Sequence, residues 1–215
     1  MARAALWSGS AASHIDLHPS GVWVNSFAYA TDGTMQGGAA YSSTTGYEAL
    51  LWNGSAQSVI NLTPAIEVMG QVAAMAPGQQ VGYWQQVGSN MRAAMWSGTA
   101  ESLVDMNPPG AGLSRLYATS GSAQVGYANH SAYGSTAGIW FGTPESFVPL
   151  APFMPPGYTQ SVATGVSEHN GLFYVTGHAS GPAGQHAFLS IGIPAPGTSG
   201  MLAIAGIFAA RRRRR

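Results

Sequence analysis

Short apolar runs recur along the chain between clusters of Gly, Pro, Asn and Ser, and none holds a helical period over a dozen positions. One stretch shows the pattern in full. Ala49-Leu50-Leu51-Trp52 reads as an apolar strand followed by Asn53-Gly54, a favoured hairpin turn. Ser58-Val59-Ile60-Asn61-Leu62 is β-branched and stops ahead of Pro64, which cannot continue a sheet ladder. Gln71–Ala76, a Pro77-Gly78 turn and Gln80-Val81-Gly82-Tyr83-Trp84 follow. Four short strands therefore fit into about 44 residues.

The pattern repeats. Trp7, Trp52, Trp96 and Trp140 stand at intervals of 45, 44 and 44 residues. An alanine precedes each by three positions (Ala4, Ala49, Ala93, Ala137), and a glycine follows by two (Gly9, Gly54, Gly98, Gly142). Six positions after each Trp is a serine (Ser13, Ser58, Ser102, Ser146), and twelve after it a proline (Pro19, Pro64, Pro108, Pro152). Gly37, Gly82 and Gly126 follow the first three Trp by thirty positions, and the fourth copy shifts this glycine to Gly177. That copy thus holds about seven extra residues, placed around Met154–Tyr158. A fifth copy opens at His186-Ala187-Phe188-Leu189, with Ser190 where Trp is expected. Self-similarity at this period is the mark of a repeat array, and four strands in about 44 residues match a propeller blade. The expected fold is all-β, a propeller-like array over residues 1–192 with about four copies and part of a fifth. A helical solenoid fits poorly with 29 Gly and 13 Pro spread through the chain. The alanines and glycines suit close face-to-face packing of sheets, with each Trp a wedge between neighbours.

The residues that recur are Ala-Leu-Trp-Ser-Gly (5–9), Leu-Leu-Trp-Asn-Gly (50–54), Ala-Met-Trp-Ser-Gly (94–98) and Gly-Ile-Trp-Phe-Gly (138–142). Strand ends such as His14-Ile15-Asp16-Leu17 follow them, then Gln80-Val81-Gly82-Tyr83 and Gln124-Val125-Gly126-Tyr127. With His186–Leu189, this pattern resembles the extracellular HAF repeats over roughly residues 3–192. Kelch-like propellers share the Gly-then-Trp rhythm and stand as the alternative. The resemblance bears on fold and location rather than on activity.

After Ile193 the pattern stops. Pro194-Ala195-Pro196-Gly197 leads into the apolar residues 200–210 and then Arg211, Arg212, Arg213, Arg214 and Arg215. This three-part tail, residues 193–215, resembles the PEP-CTERM sorting signal of Gram-negative bacteria, with Ala195 in place of the usual Glu. The resemblance implies recognition by an exosortase-like transpeptidase at the inner membrane, then display at the cell surface or in the extracellular matrix. Residues 197–210 are expected to form a short hydrophobic helix of about 21 Å at ~1.5 Å per residue. That is less than a ~30 Å hydrocarbon core, so a single-pass span requires thinning or snorkelling. The arginines would hold its end on the cytoplasmic side. The alternative is a C-terminal amphipathic or core helix with a basic cap. An exported chain needs an N-terminal signal, and Met1–Ser8 carries no basic region followed by an apolar run. The export reading therefore expects a signal peptide and further repeats encoded upstream of Met1.

Charge is where composition changes the picture. Charged residues are 7% of the chain, lysine is absent, and the formal net charge is zero. Five of the eight basic residues are the terminal arginines, so the rest of the chain sets three Arg against eight carboxylates, a balance of −5. Such a body does not fit a nucleic-acid surface, which needs many distributed phosphate contacts. The absence of cysteine removes disulfides, thiolate metal sites and Cys nucleophiles.

Candidate chemistry is thin. His169 beside Glu168, and His178 with His186, are clustered imidazoles in the irregular fourth copy, but no spacing enforces metal geometry. No metal site or cofactor is expected. Asp16, Asn61 and Asp105 share one repeat position and read as strand-end turn caps. Glu101 and Glu145 also recur at one position, as solvated hairpin residues, and nothing pairs them as a glycosidase would require. No catalytic residue is assigned. Tyr, Trp and Gly near Gly37, Gly82 and Gly126 suit a saccharide-binding face, since aromatic rings stack on sugar rings. Trp23 and Trp84, outside the repeat frame, are its specific candidates; the competing role is filling space between blades. The function expected is an exported, non-enzymatic, surface or matrix repeat protein, with an extracellular carbohydrate-binding or carbohydrate-active propeller as the alternative.

Overall fold

The computed structural model describes residues 1–63, 68–182 and 184–192. The sorting motif Pro194–Gly197, the expected hydrophobic helix and Arg211–Arg215 lie outside the described residues. Among the described residues no helix is long and apolar enough to cross a membrane. Those residues form seventeen strands joined by turns and 3-10 helices, with every sheet antiparallel. The chain divides into two compact units, Met1–Asn107 and Pro108 onward.

The first unit holds three sheets. A two-stranded sheet pairs β1 (Ala5–Leu6) with β2 (Ile15–Asp16). A four-stranded sheet follows in the order β3 (Trp23–Thr31), β4 (Gln36–Ser42), β5 (Gly46–Trp52), β6 (Ile60–Asn61). The next is β7 (Val68–Ala76), β8 (Gln79–Gln86), β9 (Arg92–Trp96), β10 (Val104–Asp105). The second unit repeats this plan in β11 (Ala111–Thr119), β12 (Gln124–His130), β13 (Gly134–Trp140) and β14 (Val148–Pro149). It adds a three-stranded sheet of β15 (Gln160–His169), β16 (Leu172–Gly181) and β17 (Gly184–Gly192). The strands expected at 49–52, 71–76 and 80–84 all lie within observed strands, and Gly78 takes the turn with φ +71°.

The sequence repeat and the sheet are out of phase. Leu50 pairs with Asn61 and Leu51 with Ile60, as Ala5 pairs with Asp16 and Leu6 with Ile15. Each Trp-led unit thus begins in the last two strands of one sheet and continues into the first two of the next. By the same register β17 holds the third-strand position, with buried Ser190 paired to Val175 as Trp52 is to Gln36.

Two expectations need correction. Asn53-Gly54 does not close a two-residue hairpin, and Ser58 is not in a strand: residues 56–58 form a 3-10 helix and only Ile60–Asn61 are extended. The repeat serine is the reason. Ser58 Oγ accepts the N–H of Asn53 at 2.7 Å and donates to the Ser55 carbonyl at 2.7 Å, folding the connection onto itself. Ser13, Ser102 and Ser146 make the same two bonds. The second correction concerns the glycine of the first copy. Gly38, not Gly37, pairs as Gly82 and Gly126 do, so the residue that lengthens the first interval lies between Trp7 and Gln36.

Other repeat positions also acquire physical causes. The side chains of Asp16, Asn61 and Asp105 accept the backbone N–H two residues on, at 2.8, 2.8 and 3.0 Å, as strand-end caps. The N–H of His18 holds the Asp16 carboxyl below its ordinary 3.8; burial opposes this, and Arg3 at 2.7 Å reinforces it. The carbonyls of Ala4, Ala49, Ala93 and Ala137 accept the buried N–H groups of Leu17, Leu62, Met106 and Leu150. Gln36, Gln80 and Gln124, each paired with its Trp, turn their buried Oε1 to the N–H of Gly54, Gly98 and Gly142 at 2.9, 2.7 and 2.9 Å. Replacing Gln80 with Leu strands that glycine amide beside the core. We expect a loss of about 1–3 kcal/mol, read as a lower urea midpoint with an unchanged slope.

The cores lie between stacked sheets. Ala4, Leu17, Ala40, Leu50 and Trp52 fill the space between the first two sheets. Ala49, Leu51, Leu62, Val72, Ala94 and Trp96 fill that between the second and third. In the second unit Ile139, Leu150, Phe173, Val175 and Phe188 anchor the equivalent layer. The close approach expected of small residues is present: a Cβ on Gly70 would sit 3.2 Å from Ala49 Cβ. Trp52, Trp96 and Trp140 are wholly buried, as wedges should be, but Trp7 is 56% exposed. No strand among the described residues flanks β1 on the edge where β4, β8 and β12 flank the other Trp strands.

A side-chain latch joins neighbouring sheets. Ser26 Oγ accepts the Ala4 N–H at 3.0 Å, and Ser161 Oγ accepts the Ala137 N–H at 2.9 Å. Gly70 occupies the same register position in β7, and there Ala49 N–H donates instead to Thr63 Oγ1 at 3.0 Å.

Candidate ligand-binding surface

With Ala, Trp, Ser, Gln and the turn glycines spent on the scaffold, the variable positions mark where copies differ in purpose. Each first strand carries a β-bulge at the same place, between Ala28 and Ala30, Val72 and Ala74, Leu116 and Ala118, and Ala163 and Gly165. The extra residue is Tyr29, Ala73, Tyr117 or Thr164. A bulge leaves one residue outside the ladder and re-aims its side chain, which makes it a natural place for a binding group.

Two copies put aromatic rings there. Phe27 and Tyr29 stack at 5.9 Å with planes 7° apart, and Tyr29 is 49% exposed. In β11 and β12 the Arg115 guanidinium lies 4.7 Å over the Tyr117 ring, which stacks at 6.1 Å on Tyr127. Burial, then the neighbouring Tyr117, pushes the Tyr127 phenol above its ordinary 10.0, with Arg115 pulling the other way. At neutral pH Tyr127 is therefore a hydrogen-bond donor beside a cation. Arg3 and Arg92 pair with Asp16 and Asp105 at 2.7 and 2.5 Å. Sequence reasoning reaches Tyr127 only as one of the tyrosines near Gly126 and does not reach Arg115 or Tyr117. The available signal was the alternation Arg-x-Tyr opposite the Gln-Val-Gly-Tyr strand.

The structure does not bring the sequence candidates into one site. Trp23, at the start of β3, packs against the core between the first two sheets, and its indole N–H donates to buried Glu48 at 2.5 Å. Trp84 packs against the next core layer, and its buried Nε1 has no hydrogen-bond partner among the described residues. His178 pairs with Ala187 and His186 with Ala179, so the two imidazoles leave opposite faces of their sheet. His169 is exposed at the β15–β16 hairpin, while Glu168 accepts the Ser122 hydroxyl at 2.5 Å. Glu101 and Glu145 are exposed, each on the 3-10 helix of its own copy. Among the described residues no three His, Asp or Glu gather as metal ligands.

The inserted residues of the fourth copy shape a surface of their own. Ala151–Phe153 forms a 3-10 helix, and the chain from Met154 to Tyr158 then folds against β16 and β17. Met154 and Tyr158 are shared by two adjoining depressions, one lined also by Tyr133, Ser135, Gln160 and Ser161, the other by Pro155, His186 and Phe188. Tyr158 meets the His186 ring edge-on at 5.9 Å.

No protein-family model matches the chain, and no curated protein matches it. Among solved structures, the crystal structure of TolB from Acinetobacter baumannii is similar over 84% of this chain, with a TM-score of 0.47 and 12% identity. This chain spans 47% of that one.

Proposed function

We propose that the chain is an exported β-propeller-type repeat protein, displayed at the cell surface or in the extracellular matrix, that binds rather than catalyses. The observation that carries this reading is the division of labour within each copy. The recurring polar residues are consumed by turns, caps and clamps, while the bulge positions vary from copy to copy, with tyrosine in two of the four and Arg115 beside one of these. Exposed acids stand singly on separate turns, which suits a scaffold rather than an acid–base pair.

Sorting is assigned to the tail. Pro194, Ala195, Pro196 and Gly197 would be the motif an exosortase-like transpeptidase reads, residues 200–210 the segment held in the inner membrane, and Arg211–Arg215 the cytoplasmic stop. The test is fractionation of the chain expressed behind a signal sequence, with and without Arg211–Arg215. The full chain should fractionate with membranes and then reach the surface fraction, and the truncated chain should not be retained. Equal, fully soluble distribution of both would sink the assignment.

A second reading, a carbohydrate-binding or carbohydrate-active propeller, is favoured by the Arg115, Tyr117 and Tyr127 cluster. Stacked phenols offer a face to a sugar ring and the guanidinium offers charge to a uronate.

A further inference from the structure

We infer that the insertion in the fourth copy builds a separate binding subsite for a neutral oligosaccharide. The inference rests on the reading of the chain as an extracellular binding protein and gives it a ligand class. Three observations carry it. The seven or so residues that only this copy possesses do not extend a strand; they fold back over β16 and β17 and create two depressions that share Met154 and Tyr158. The chemistry changes from one end to the other. On one side Tyr158, Pro155, Phe188 and the edge of His186 make an apolar wall. On the other, Ser135, Thr159 and Gln160 bring hydroxyl and amide groups beside Tyr133, which is 43% exposed. Finally, the lining holds no Asp, Glu, Lys or Arg.

A pyranose ring has this same division, with an apolar C–H face bordered by hydroxyls that donate and accept. The C–H face matches the Tyr158 wall, and the hydroxyl rim matches Gln160, Thr159 and Ser135. An acidic sugar would find no Lys or Arg in the lining to offset the hydration its carboxylate loses. That distinguishes this subsite from the Arg115 cluster, whose cation suits acidic sugars.

The experiment probes the full chain with an array of neutral oligosaccharides, uronate-containing oligosaccharides and proline-rich peptides. The wild-type chain should bind neutral oligosaccharides. Tyr158→Ala should weaken that binding by about tenfold, the scale of one lost aromatic contact, and Tyr158→Phe should largely restore it. Gln160→Ala, at an exposed position, tests the hydroxyl side with no dependence on the packing of Tyr158 and should also weaken it. Glu101→Gln, on an exposed turn of another copy, should leave neutral binding intact. Binding of peptides alone, of uronates alone, or of neutral sugars undiminished by both Tyr158→Ala and Gln160→Ala overturns the subsite. So does a wild-type chain that reaches the surface fraction yet binds no glycan. Export itself is judged by the fractionation, so the two ideas fail separately.

Discussion

Trp96→Ala should cost the first unit about 3–5 kcal/mol, while Trp7→Ala should cost less than about 0.5 kcal/mol. Both residues hold the same place in the sequence repeat and belong to the same unit, so the pair is its own control. Trp96 is wholly buried among Leu51, Leu62, Val72 and Ala94, and removing it leaves a cavity that rigid sheets on both sides cannot collapse to fill. Trp7 stands 56% exposed, with the His14 ring against its own at 5.2 Å. Thermal unfolding followed by circular dichroism should show a midpoint fall of roughly 15–25 °C for the first and little change for the second. Comparable shifts for the two would mean that Trp7 is also a wedge.

The second large effect is expected from a single methyl group. At Gly126 a Cβ would fall inside the contact radius of the Arg115 carbonyl oxygen across the bulge, and at Gly82 inside that of Gln71. Neither obstacle is a flexible side chain that can step aside; each is backbone held in a ladder. Gly126→Ala must break the bulge pairing or push β11 from β12, and should cost about 3 kcal/mol or more, the upper end of overpacking. Gly112→Ala is the comparison. It lies in the same sheet with nothing within 4 Å of an added Cβ, and should stay within about 0.5 kcal/mol of wild type. Urea unfolding of the two variants checks the contrast; a mild effect at Gly126 would mean that the bulge is not rigid.

These contrasts show where sequence reasoning reached and where it stopped. Strands and their period were legible because apolar runs bounded by Gly and Pro report backbone hydrogen bonding and burial directly. Ala49, Trp52 and Gly82 stood out for the same reason, each being selected by space. The glutamines did not, because a buried Gln is conspicuous only once its partner is known, and Gln80 meets Gly98 from eighteen residues away. Ser58 invites a strand reading because Val59 and Ile60 beside it are β-branched; its own bonds override that preference and end the 3-10 turn there. Spacing could not place His178 and His186 on opposite faces, since that depends on register across a hairpin. The extra residues around Met154–Tyr158 were visible as a count, but the hollows they enclose depend on side chains from β13, β16 and β17.

The half-period offset between repeat and sheet bears on how such an array changes length. The segment that is copied and the body that folds are different objects: one copied segment carries the outer half of one sheet and the inner half of the next. A gene that gains or loses one segment of 44 residues therefore gains or loses exactly one whole sheet, whatever point the cut falls at. Both flanking interfaces are regenerated from residues already suited to them. The Gly70 and Thr63 pair is the exception, because Thr63 follows β6 while Gly70 lies in β7 of the next sheet. A recombination falling between those two residues would join Gly70 to a copy with no threonine at the Thr63 position, leaving the amide equivalent to that of Ala49 without an acceptor.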